Sequence, residues 1–140
     1  MSLTTGLQET VDAFQAMAEQ DRLELLLEFA DELPELPARY AEHPDLLERV
    51  AECQSPVFLF VEVDDAVHVH ATAPAESPTT RGFASILAQG LEGATVEQAL
   101  AVPDDMPRLL GLDRVVSPLR LRGMAGMLGR IQRQVRERSA

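Results

Sequence analysis

The spacing of apolar positions along the chain changes from helical to alternating and back again. Leu7, Val11, Phe14 and Met17 recur at helical spacing and predict a first helix. Asp21 and Glu24 resemble a capping box opening a second helix through Leu23, Leu26, Leu27 and Ala30, which Pro34 ends. Prolines 34, 37 and 44 mark an irregular connection across residues 34–46. From Leu47 the period shortens. Val57, Leu59, Val61 and Val63 alternate with Phe58, Phe60 and Glu62, and a second alternation runs from Ala66 to Thr72. Asp64-Asp65 between them predicts an antiparallel hairpin, and the two phenylalanines predict a first strand buried on both faces. Residues 47–50 offer a short third strand leading towards Cys53.

Helical spacing returns after a loop from Ala73 to Pro78. One helix is predicted from Arg81 to Leu91, stopped by Gly93, and another from Val96 to Ala101 behind a Thr95/Gln98 capping box. A short turn holds Met106 to Leu110. The last helix opens on Ser117 as cap with Pro118 at its first position, and its apolar stripe is Leu121, Met124, Leu128, Ile131 and Val135. This order predicts one α+β domain over residues 1–140. Its parts are N-terminal helices over about 6–33, a small antiparallel sheet with a cysteine loop over about 47–72, and C-terminal helices over about 80–137. The sheet, a hairpin plus a short third strand, is expected to be covered on one face by helices.

Charge narrows the function classes. The formal net charge is −11, which argues against nucleic acid as a partner. Every basic side chain is an arginine, and residues 114–140 carry seven of them against Glu137 alone. Those arginines read either as the wet face of a terminal helix or as a docking face for an acidic partner. No apolar run approaches the ~20 residues of a membrane helix. No signal sequence is visible at the N-terminus, so a cytoplasmic location is expected.

Cys53 is the single cysteine, so an internal disulfide and an all-cysteine metal site are excluded. A lone cysteine in a reducing compartment is most often a small buried hydrophobe. Its place in a loop before a strand instead predicts an accessible thiol. Glu52 beside it disfavours the thiolate, and an arginine from elsewhere in the fold would reverse that. His68 and His70 share one face of the second strand, a spacing some metal sites use, but no third ligand is placed near them, and a half-exposed hairpin face explains both. No signature supports a cysteine–histidine hydrolase dyad. Gly123, Gly126 and Gly129 recur in the last helix, each costing about 1 kcal/mol of helix propensity relative to alanine. Close approach of another backbone is the expected reason.

Two segments together carry a family resemblance. Glu52-Cys53-Gln54-Ser55-Pro56-Val57-Phe58-Leu59 is similar to the Gly-Cys-Gln-Ser signature of the SufE cysteine desulfuration proteins, running into an apolar strand. Gly111-Leu112, Val116-Ser117-Pro118-Leu119-Arg120 and Gly123-Met124 resemble that family's Gly-Leu, Leu-Ser-Pro-x-Arg and Gly-Leu/Met segments. A third family segment aligns less well with residues 75–83. The likeness runs from about residue 10 to 132. Glu52 stands where the family has glycine, Glu76 where it has aspartate, and Arg122 where it has asparagine.

The resemblance implies a fold like that of SufE and the IscU-type scaffolds. It implies that Cys53 accepts persulfide sulfur from a SufS-type pyridoxal-phosphate cysteine desulfurase, stimulates that enzyme, and delivers sulfur to a SufB-type cluster scaffold. Arg120 is the implied thiolate stabiliser, with Gln54, Ser55, Glu76 and Arg81 as partner-docking residues. No cofactor or metal of its own is implied; the chain has no lysine to form a pyridoxal-phosphate Schiff base. A protein of this kind is a sulfur-transfer accessory rather than an independent enzyme. A non-catalytic adaptor or regulator on the same fold is the alternative, and self-association as a homodimer stays open.

Overall fold

The computed structural model describes residues 3–139. Its elements are α1 (Thr5–Ala16), α2 (Glu19–Asp31), α3 (Ala38–Ala41), β1 (Glu48–Arg49), β2 (Phe58–Val63), β3 (Val67–Thr72), α4 (Pro78–Leu91), α5 (Val96–Ala101) and α6 (Pro118–Ser139). Single 3-10 turns lie at Pro44–Leu46 and Met106–Leu110. The sheet is antiparallel, in the order β1-β2-β3.

The β2–β3 register pairs Phe58 with Thr72 and Val63 with Val67, so the valine face of one strand meets that of the other. Val57, Leu59, Val61, Val67, Val69 and Ala71 are buried on that face. Helices α4 and α6 lie on the sheet, and α1 and α2 pack on α4. The opposite face is only half-buried. Tyr40 of α3 lies 4.7 Å from the Phe60 ring, and the Arg138 guanidinium sits 4.4 Å above it. Full burial of the first strand on both sides, expected from Phe58 and Phe60, is therefore not realised.

Four local expectations change. Asp21 and Glu24 do not cap α2, which starts earlier at Glu19 with Ala18 in the cap position and no side-chain cap. Helix α1 stops at Ala16, where the Met17 N–H turns back to the Phe14 carbonyl, so Met17 is not part of the helical stripe. The connection after Pro34 is not wholly irregular, since it contains α3 and a 3-10 turn. Helix α4 begins at Pro78, three residues ahead of Arg81, behind Ser77. The other end signals hold. Thr95 and Gln98 form a complete capping box, and the Arg120 N–H donates to Ser117 Oγ at the head of α6.

Candidate functional site: the cysteine loop on helix α6

Residues 51–56 form a loop whose neck is closed by the Val50 N–H donating to the Val57 carbonyl at 2.9 Å. Within it the Cys53 N–H donates to Val50 O at 3.1 Å, curling the cysteine back towards the sheet. The thiol is turned inwards. Cys53 is only 7% exposed, and its Sγ donates to the Gly123 carbonyl at 3.7 Å. The expectation of an accessible loop thiol is thus corrected: the loop is at the surface, but its cysteine faces the core because α6 offers a glycine to receive it.

The glycines of α6 acquire a local reason. A Cβ on residue 123 would lie 3.1 Å from Cys53 Sγ, and one on residue 126 would lie 2.7 Å from both Cβ and Cγ of Glu52. Side chains of the cysteine loop, rather than another backbone, make the closest of these approaches. Gly129 faces nothing within 4 Å, so close packing does not explain it.

Cys53 opens on a small cavity of about 40 Å³, lined also by Gln54, Ser55, Thr80, Phe83, Leu119, Arg120 and Met127. Such a space admits a few water-sized atoms and nothing bulky. Burial and then the Glu52 carboxylate push the thiol up to about 11, against an opposing pull from Arg130. At neutral pH Cys53 in this position therefore holds a thiol, not a thiolate.

Of the residues singled out from the sequence, Gln54, Ser55 and Arg120 meet Cys53 at the cavity. Arg120 is exposed and makes no hydrogen bond to the thiol. Ser55 Oγ is 2.6 Å from Ser77 Oγ, tying the loop to the head of α4, and Glu76 beside Ser77 is exposed. Arg81 is half-buried and donates to the Ala30 and Ala73 carbonyls, bracing the end of α2 against the residue after β3. His68 takes Glu92 and Asp64 as partners, while His70 takes Glu62; both rings lie on the half-buried sheet face.

Sequence reasoning missed the charged cluster beside the loop. Arg130 Nε donates to Glu52 Oε1 at 2.8 Å and its Nη1 to Glu48 Oε2 at 2.7 Å. Arg133 also pairs with Glu48, and Gln134 bridges Glu48 to the Val61 N–H. The available signal was the spacing of positions 123, 126 and 130, which helical geometry sets on one face.

The model of the SufE family, described as an Fe-S metabolism associated domain, matches residues 8–135. The chain belongs to the SufE family. It is 54% identical to an "uncharacterized SufE-like protein" of Mycobacterium tuberculosis, over 97% of this chain and 95% of that one. It is 31% identical to SufE-like protein 1, chloroplastic/mitochondrial, of Arabidopsis thaliana, covering 94% of this chain and 35% of that longer protein. A solution structure of a hypothetical protein from Thermus thermophilus superposes with a TM-score of 0.86 at 36% identity, covering 99% of this chain and 98% of the other. The α+β architecture with a three-stranded antiparallel sheet is therefore that of SufE-like proteins, and membership ties the chain to the sulfur chemistry of iron–sulfur metabolism. Among the described residues, no helix is long and apolar enough to cross a membrane.

Proposed function

We propose that Cys53 is the sulfur-accepting residue of this SufE protein, taking sulfur from a SufS-type pyridoxal-phosphate cysteine desulfurase and passing it to a SufB-type scaffold. The observation that carries the reading is the coincidence of the family's Cys-Gln-Ser loop with a buried Cys53 that borders a small cleft. An added sulfur there is screened from competing thiols, which would otherwise reduce it.

The exchange is a displacement at sulfur. The Cys53 proton leaves, and the thiolate attacks the terminal sulfur of a persulfide on the desulfurase. A new bond forms between Cys53 Sγ and that sulfur as the donor's S–S bond breaks. The donor cysteine departs as thiolate and takes up a proton, so no external oxidant or reductant enters. Arg120 at the cavity is the proposed cation for the thiolate during exchange, and Gln54, Ser55, Glu76 and Arg81 are proposed as partner-docking residues. Because the Cys53 thiol is buried against Gly123, exchange with a second protein requires the loop to leave its seat on α6. Cytoplasmic residence, where a reducing milieu keeps a lone thiol free, belongs to the same reading.

The inward thiol with its raised pKa favours a second reading, an adaptor that binds and regulates a desulfurase while its cysteine stays inert. Alanine release from cysteine by a SufS-type enzyme, measured with the protein and with Cys53→Ser, separates the two. Sulfur acceptance predicts stimulation that Cys53→Ser abolishes. Equal stimulation by both proteins overturns it in favour of the adaptor.

A further inference from the structure

Glu52 is the one charged residue between Val50 and Val57. Its side chain lies directly on α6 in the gap left by Gly126, where a Cβ would come within 2.7–2.8 Å of its Cβ, Cγ and Cδ. The carboxylate then reaches Arg130, whose other hydrogen bond goes to Glu48 of β1. Glu48 is itself fixed by Arg133 and Gln134. Arg130 is thus tied to the sheet through Glu48 and, among the described residues, grips the loop through Glu52.

The loop has other ties, but they are neutral: the Cys53 N–H to Val50 O, the Ser55–Ser77 hydroxyl contact and the thiol to Gly123 O. The ion pair is half-open to water, with side chains 26% and 45% exposed for Arg130 and Glu52. Pairs of this kind shift a conformational equilibrium by a few-fold, not by orders of magnitude. That is the range in which a docking carboxylate can displace Glu52 from Arg130.

We propose that the Glu52–Arg130 pair is a latch positioning the cysteine loop. Closed, it holds Cys53 against Gly123; opened, it lets the thiol reach a reaction partner. Arg130 is then a positioning residue, acting on Cys53 through Glu52. The functional weight of this latch rests on the reading of Cys53 as sulfur acceptor, but the latch itself is testable without any desulfurase.

The two charges influence the thiol in opposite directions, since Glu52 disfavours the thiolate and Arg130 favours it. Acting only through space, Glu52→Gln would speed alkylation of Cys53 by neutral iodoacetamide and Arg130→Gln would slow it. A latch predicts that both variants speed it, by about fivefold. An Arg130→Gln protein that labels no faster than the unaltered one overturns the latch.

Arg130 also holds Glu48, so its loss could disturb the fold, and amide exchange in Glu52→Gln supplies an independent reading. Faster exchange at the Cys53 amide, with α6 amides unchanged, supports the latch; unchanged exchange at Cys53 overturns it. Desulfurase assays of the same proteins separate the two ideas. Latch behaviour without sulfur uptake retains the latch and removes the acceptor, and uptake with no effect of either variant does the reverse.

Discussion

Cys53 and Gly123 are fitted to one another: Sγ lies 3.7 Å from the Gly123 carbonyl oxygen and 3.1 Å from the position a Cβ on residue 123 would take. The thiol is enclosed because the helix beneath it lacks a side chain at that point. Alanine at the three glycines of α6 should therefore have three different effects, although helix propensity alone favours each change by about 1 kcal/mol. Gly129→Ala, with open space around it, gains about that much in chemical denaturation. Gly126→Ala forfeits that gain, because a Cβ 2.7 Å from the Glu52 stem must push that side chain off α6. Gly123→Ala is close to neutral, and its effect appears as faster alkylation of a displaced Cys53.

Alkaline stability should report the buried thiol. Burial and Glu52 raise Cys53 from 9.0 to about 11, so the folded protein holds this proton after the unfolded chain has lost it. Between about pH 9 and 11 the native state binds more protons than the unfolded state, and stability falls as pH rises through that window. Denaturation curves of Cys53→Ser over the same range should lack this component of the slope.

Arg81 should matter for stability. Its guanidinium donates to the Ala30 and Ala73 carbonyls, and hydrogen bonds involving a charged group contribute about 1.5–3 kcal/mol. Arg81→Met should lower the unfolding free energy measured by urea denaturation by an amount in that range. A variant of unchanged stability that fails to stimulate a desulfurase would instead place Arg81 at the docking surface.

The helix–sheet–helix order was legible because each buried stripe kept one period over its element, as in Leu121, Met124, Leu128, Ile131 and Val135 of α6. The start of α4 was not, although Ser77-Pro78 repeats the Ser117-Pro118 dipeptide that placed α6 correctly; Ser77 Oγ meets Ser55 rather than capping its helix. Cys53 was identifiable as the residue of interest, but its inward turn was not, since it depends on Gly123, 70 positions away in the chain. The Glu48–Glu52–Arg130 cluster was hidden for the same reason. Three glycines looked alike in sequence; only the fold distinguishes the two that receive the loop from the one that faces nothing.

A second titration should appear on the acid side, far from the loop. Burial alone would raise Glu62, but hydrogen bonds from Tyr40, His70 and Arg39 outweigh it and bring the carboxyl from 4.5 to about 2. The unfolded state then binds this proton first as pH falls, so the contribution is full above about pH 4.5 and is lost towards pH 2. Glu62→Gln should reduce the slope of stability against pH in that window, measured by urea denaturation.

Sulfur acceptance by Cys53 is read from the intact mass of the protein after incubation with a SufS-type desulfurase and cysteine, without reductant. A gain of about 32 Da per sulfur added is expected, located on Cys53 by peptide mapping, reversed by dithiothreitol and absent in Cys53→Ser. An unchanged mass, while the desulfurase visibly turns over and binds the protein, would contradict it.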